Sequence, residues 1–183
     1  MNFYRCLICG DVYMGKEKPS NCPFCGAKDK YLVAAAEWVD ENLSINALSE
    51  ISKRNLEKAL QLEVNNAPFY RDAMSRTKDT ALQGVFKYLS KVEAEHALTV
   101  KKILKCELLQ PEKGKEAATD DDMENLKAAH EREKAATAFY RKAAEEAGEP
   151  RVKKVFTALS EIEADHIALE ERLLKGKEKK WQR

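Results

Sequence analysis

Two copies of one ligand pattern stand 70 residues apart in the second part of this chain. Glu63 and Glu93-Ala-Glu-His96 in the first copy match Glu133 and Glu163-Ala-Asp-His166 in the second. The pairs Phe69-Tyr70 and Phe139-Tyr140 keep the same offset, as do the runs from Val85 to Ser90 and from Val155 to Ser160. One Glu plus one Glu-x-x-His per copy, doubled, is the ligand set that a helical bundle offers to a carboxylate-bridged pair of metal ions. Four carboxylates and two neutral imidazoles balance two divalent cations, whereas the same acids buried alone repel one another and each costs several kcal/mol. Oxygen and imidazole donors on fixed helices suit iron or manganese. A single inward Glu or His is commonly a satisfied core residue; a sixfold repeated set is not explained that way.

A second constellation lies near the N-terminus. Cys6-Leu-Ile-Cys9-Gly10 and Cys22-Pro-Phe-Cys25-Gly26 are two Cys-x-x-Cys knuckles separated by twelve residues. Four thiolates so spaced can close a tetrahedral site, and the glycine after each pair permits the turn that aims backbone N–H groups at sulfur. Tetrahedral sulfur suits zinc and iron alike, so the spacing leaves a structural zinc ribbon and a redox iron site both open. Phe3, Tyr4, Tyr13, Phe24 and Tyr31 are expected to pack around the knuckles as the core of a small module.

These ligands need elements to hold them. Apolar residues recur at helical spacing over four stretches, about 46–75, 80–106, 120–147 and from 150 onward, the last fraying into a Lys-rich tail. Glu63 falls on the stripe of Leu56, Leu60, Ala67 and Tyr70. Glu93 and His96 fall among Phe86, Leu89, Val92 and Val100, so both point inward. Glu133 shares a stripe with Leu126, Ala129 and Tyr140, and Glu163 and His166 share one with Val155, Leu159, Ile162 and Leu169. Thr119 and the acids after it cap the third stretch, Gly148 stops it, and Pro150 suits a first helical turn. Short links join the helices pairwise, while the Pro- and Gly-containing segment 107–118 is long enough to run the length of a bundle. Two antiparallel pairs joined by one long crossover give a mainly α, ferritin-like four-helix bundle. Pro68 lacks an amide donor little more than a turn after Glu63, so a kink or bulge is expected there. Tyr70 and Tyr140 lie two turns beyond Glu63 and Glu133, where each hydroxyl can donate to a carboxylate of the site.

Composition divides the 183 residues at about position 38. The first part holds four of the five cysteines, and the rest is rich in Ala, Leu, Glu and Lys. The expected modules are 1–38 and 39–183. A net charge of +1 with both signs interspersed gives no footprint for nucleic acid or an anionic membrane. Neither a leader-like N-terminus nor a membrane-length apolar run is apparent, which suggests a cytoplasmic protein with reduced cysteines. Cys106 reads as an incidental thiol, and Trp38 and Trp181 carry no specific signal.

Taken together, the motifs resemble the rubrerythrins over nearly the whole chain. The cysteine knuckles resemble that family's rubredoxin-like domain; Glu63, Glu93-x-x-His96, Glu133 and Glu163-x-x-His166 match its diiron motif. In the better-known members the rubredoxin module follows the bundle, so the order here is inverted, as in the reverse rubrerythrins. The resemblance implies a non-haem diiron peroxidase that reduces hydrogen peroxide to water in oxidative-stress defence. It implies one iron held by Cys6, Cys9, Cys22 and Cys25, with zinc the alternative. It also implies two irons, or manganese or a mixed pair, at Glu63, Glu93, His96, Glu133, Glu163 and His166. Tyr70 and Tyr140 would steady those ligands. Electrons would come from a donor such as a rubredoxin or a flavoprotein reductase, within a homodimer or larger homo-oligomer arranged head to tail. Rubrerythrins generally carry one more Glu a turn after the Glu of the third helix, where this chain has Ala136. His130, one turn before Glu133 and matched by Leu60 in the repeat, either replaces that ligand or is an ordinary polar residue near the site; the second reading is preferred. Two other classes stay open: a ferroxidase or iron-handling protein, and a non-enzymatic metal-binding protein with structural zinc at the cysteines.

Overall fold

The structure is a computed structural model that describes residues 1–115 and 117–181. Residue 116 of the expected crossover, residues 182 and 183 of the expected second module and the side chain of Trp181 lie outside the described residues. The N-terminal ribbon is a three-stranded antiparallel sheet with β1 (Asn2–Cys6) between β2 (Val12–Gly15) and β3 (Leu32–Ala34). β1 ends at Cys6, so the first knuckle fills the turn to β2 with Gly10 at φ +89°. The second knuckle turns at Gly26, φ +78°. Such angles strain any residue with a Cβ, which is why glycine follows each cysteine pair. Tyr31 is buried there with Ile8, Ala27 and Leu32, but Phe3 and Phe24 are 53% and 40% exposed. Those two aromatics therefore are not ribbon core: the sheet presents Phe3 to solvent, and the four buried sulfurs take up the interior instead.

Four long helices follow: α1 (Glu50–Arg76), α2 (Thr80–Leu104), α3 (Asp122–Glu146) and α4 (Pro150–Trp181). Ser49, Asp79 and Asp121 cap the first three, each side chain accepting from backbone amides of the first turn. α1 starts later than its apolar pattern suggests because Ser49, not a residue near Asn46, holds the cap. Helix α1 is continuous through Pro68, without the expected bulge. α4 does not fray near Lys177, whose ammonium bridges Asp79 and Asp122 at 3.1 and 2.7 Å and ties three helices together.

α1 packs on α2 and α3 on α4, and the connector from Lys105 to Asp121 runs along α1. Gln61 donates to the Gln110 carbonyl, Asn65 exchanges hydrogen bonds with Glu112, and Asp72 accepts from the Ala118 amide. Successive contacts at 61, 65 and 72 trace a crossover along the second half of α1. The arrangement is the ferritin-like bundle with a small cysteine ribbon before it. One apolar cluster passes from Ile8, Ala27 and Leu32 of the ribbon into Val92, Val155 and Ile162 of the bundle, so ribbon and helices share a core. Among the described residues, no helix is long and apolar enough to cross a membrane.

Candidate metal centres

Inside the bundle two sets of ligand atoms converge, each within 4.8 Å: Glu63, Glu93, His96 and Glu163 in one, Glu93, Glu133, Glu163 and His166 in the other. Glu93 and Glu163 belong to both sets and lie between the two positions. Each position then has one Glu and one His of its own, contributed by the two helices of one packed pair, α1 and α2 for Glu63 and His96 and α3 and α4 for Glu133 and His166. Five of the six side chains are 0% exposed and His166 is 4% exposed, inside apolar walls that leave no solvent to share the charge.

Elementary electrostatics forbids this cluster unless protons or cations fill it. Glu63 Oε2, Glu133 Oε2, both oxygens of Glu93 and of Glu163, and Nδ1 of both histidines lack a hydrogen-bond partner. Buried polar atoms are seldom left so, and orphans aimed at a common centre fit a pair of divalent cations. Titration behaviour agrees. Burial, then Glu163 and Glu63, pushes the Glu93 carboxyl well above the usual carboxylate range; burial, then Glu93 and Glu163, does the same to Glu133. Burial also opposes ionisation of Glu163, but His96 and His166 more than offset it and hold that carboxyl low. Burial works against a charged His96, yet Glu163, Glu63 and Glu93 raise its pKa well above the ordinary value.

His96 shows which nitrogen is free for a metal. Its Nε2 lies 2.9 Å from the carbonyl oxygen of Cys25. A carbonyl can only accept, so Nε2 carries the proton, and in the neutral ring Nδ1 keeps its lone pair. That Nδ1 faces Glu163, Glu93 and Glu63 at 3.2, 3.6 and 3.7 Å. The tyrosines cross between repeats: Tyr70 donates to Glu133 and Tyr140 donates to Glu63. Each helix thus holds a ligand and orients the ligand of its counterpart.

In the ribbon, Cys6, Cys9, Cys22 and Cys25 are all buried and within 4.8 Å of one another. Sulfurs of Cys6 and Cys25 are 3.7 Å apart and those of Cys9 and Cys22 3.8 Å. A tetrahedral centre with metal–sulfur bonds of about 2.3 Å has edges of about 3.8 Å, so the pocket is already the size of its ion. The amides of Ile8 and Asp11 point at Cys6 and Cys9 sulfurs. Hydrogen bonds among the thiols, above all those of Cys22, favour thiolate on Cys6 and thiol on Cys9.

Several residues complete these sites that pattern reading passed over. Arg151, 5% exposed, donates to the carbonyls of Leu7 and Ile8 at 2.5 and 2.8 Å and to Asn42 at 2.9 Å. Lys102 donates to the Cys9 carbonyl at 2.9 Å, so two bundle cations clasp the first knuckle. Trp38 donates its indole N–H to the Cys6 carbonyl and carries the Arg5 guanidinium on its face at 3.4 Å. All three act on backbone carbonyls, which leave no mark in a sequence. Glu170 is a fifth buried carboxylate, 0% exposed, one turn beyond His166. Its spacing from Glu163 and His166 signals an inward position, but its partner in the repeat is Val100, so the repeat conceals it. His130 is not in either ligand set; its Nδ1 is 3.8 Å from Glu170.

Comparison with known proteins agrees with this geometry. Residues 54–177 match the family model for rubrerythrin, and residues 4–32 match that for the rubrerythrin rubredoxin-like domain. The chain is 32% identical over 108 residues to Reverse rubrerythrin-1 of Clostridium acetobutylicum, an alignment covering 53% of this chain and 59% of that protein. The chain therefore spans less than two thirds of that relative's length. No solved structure gave a significant match. Two converging ligand sets, a cysteine ribbon ahead of them and a family match over most of the bundle lead to one conclusion: the chain belongs to the rubrerythrin family.

Proposed function

We propose that this chain is a peroxidase, reducing hydrogen peroxide to water with electrons that enter at the cysteine site. The observation that carries the reading is the 2.9 Å hydrogen bond from His96 to the Cys25 carbonyl. It joins a ligand of one centre to a ligand of the other with no intervening residue. A store for iron gains nothing from such a connection; a site that must be refilled with electrons does.

The residues divide the work. Glu93 and Glu163, common to both ligand sets, would hold two cations next to each other, and Glu63, His96, Glu133 and His166 would each serve one of them. Two adjacent ferrous ions would supply the two electrons that peroxide needs in one encounter, so no one-electron radical need escape. Cys6, Cys9, Cys22 and Cys25 would hold a one-electron iron, refilled by a donor such as a rubredoxin or a flavoprotein reductase. Tyr70 and Tyr140 keep Glu133 and Glu63 in register, and the apolar walls around the carboxylates keep bulk water out. The hydrogen bond joins the two centres within the chain described.

The test is metal analysis with anaerobic stopped-flow spectroscopy. Iron-loaded protein is expected to be red from ferric tetrathiolate, and the reduced protein to reoxidise at least about tenfold faster with peroxide than with air. Zinc at the cysteines, or equal rates with the two oxidants, overturns the assignment.

A further inference from the structure

The two copies of the repeat are alike at every ligand and differ beside one of them. Tyr140 donates to Glu63, and the positions that would contact this pair from the neighbouring turns are Val100 and Leu60. In the matching half Tyr70 donates to Glu133, and Val100 and Leu60 are replaced by Glu170 and His130. Glu170 Oε1 is 3.0 Å from the Tyr70 hydroxyl, and its Oε2 is 3.8 Å from His130 Nδ1. Both of those last two atoms lack another partner.

With Glu133 ionised to hold a cation, Tyr70 gives its one hydroxyl proton to Glu133, the closer of its two contacts. The contact with Glu170 must then run the other way, from a protonated carboxyl to the Tyr70 oxygen. The charge count agrees, because four carboxylates already match two divalent cations and a fifth negative charge would be uncompensated. Tyr70 of α1 contacts Glu170, His130 of α3 is its nearest base, and Glu163 of α4 acts on it through space, while Glu93 of α2 and Arg132 and Glu133 of α3 act on Tyr70. Arg132 is engaged by Asn66 and the Lys115 carbonyl, so at Glu170 it is His130 that can bring positive charge while leaving both metal positions undisturbed. Burial, with Glu163 adding to it, pushes the Glu170 carboxyl up to about 8 although the Tyr70 contact lowers it.

We propose that His130, Glu170 and Tyr70 form a one-sided proton relay, with Glu170 held as a neutral carboxylic acid that feeds the Glu133 side of the dimetal site. His130 is 18% exposed and gives the chain its opening to solvent. In the relay, His130 must close the 3.8 Å gap to Glu170 to pass its proton. The inference rests on the peroxidase reading for its use. One peroxide, two electrons and two protons give two waters; the electrons come from the reduced donor through the cysteine site, and the protons come from solvent. A proton passes from Tyr70 toward Glu133 and the departing oxygen as Glu170 replaces it on the tyrosine, and His130 replaces the one lost by Glu170. Tyr70 gives and receives together, so it never carries charge. Glu170 and His130 touch no reacting atom and act only through Tyr70.

The test uses the full chain. Zinc-loaded protein, in which all other site carboxyls are ligands, is expected to show the infrared carbonyl band of a carboxylic acid near neutral pH, lost in Glu170→Gln and retained in Glu133→Asp. This measurement does not depend on peroxidase activity. In iron-loaded protein, Glu170→Gln and Glu170→Val, the residue of the matching half, should keep full metal occupancy and red colour. Both should slow peroxide-driven reoxidation at least about tenfold and remove its dependence on pH between 6 and 9. His130→Leu should slow it with the band intact. Absence of the band in the zinc protein overturns the neutral acid, and a band without any rate change in the two Glu170 variants overturns the relay. If peroxide does not reoxidise even the unaltered protein, the peroxidase reading fails while the band still decides the state of Glu170.

Discussion

At the scale of single residues, the site is governed by how each polar atom is satisfied. Tyr140 has one carboxylate to hold and no second partner, so Tyr140→Phe isolates the value of orienting Glu63. Groups that orient a metal ligand typically contribute about 10- to 100-fold in metal affinity. We expect Tyr140→Phe to weaken binding at the Glu63 and His96 position by that factor, read by metal titration of the apoprotein; unchanged affinity would mean that the helices alone fix Glu63. The convergence of the six side chains was legible in the sequence because duplication wrote them twice at a constant offset, and the tyrosines because they share it. Glu170 was illegible for the same reason: it exists in one copy only, so the signal that revealed the others hid it.

At the scale of elements, the ribbon is held to the bundle by contacts that sequence periodicity cannot encode. Helical stripes, the long crossover and Pro150 at the start of α4 followed from spacing and residue type, whereas the Ser49 and Asp79 caps were not read, which is why α1 begins later than its stripe. Arg151 is different: a basic residue in the first turn of a helix reads as a solvated charge until the Leu7 and Ile8 carbonyls are seen against it. Its replacement by Met leaves those carbonyls without their buried donor. Arg151→Met is expected to lower stability by about 2 to 4 kcal/mol in denaturant unfolding and to speed amide exchange in the ribbon. Metal at the carboxylate site should be retained. Gly26 belongs to the same docking: a Cβ there would meet Ile162 of α4 at 3.0 Å, so the second knuckle can lie this close to the bundle only as glycine.

At the scale of the whole molecule, the metal-free chain must fold around acids that want protons. Glu93, Glu133 and Glu170 have carboxyls raised chiefly by burial, and His96 is raised by the carboxylates around it. A raised native pKa means that the folded state binds protons more tightly than the unfolded one. That stability is full below the ordinary carboxylate value and is lost as pH climbs toward the native value, about 8 for Glu170. Glu163, held low, works in the opposite direction as pH falls. The metal-free protein should therefore lose a few kcal/mol between about pH 5 and 8, seen as a falling Tm, and divalent metal should flatten the curve. A Tm of the metal-free protein that rises over this range would show that the cluster is not protonated as described.

The hydrogen bond from His96 to Cys25 closes a loop between the first and second parts of a single polypeptide. In the proposed reaction, the span that charge must cross between the two centres is thereby set by the fold of the polypeptide itself.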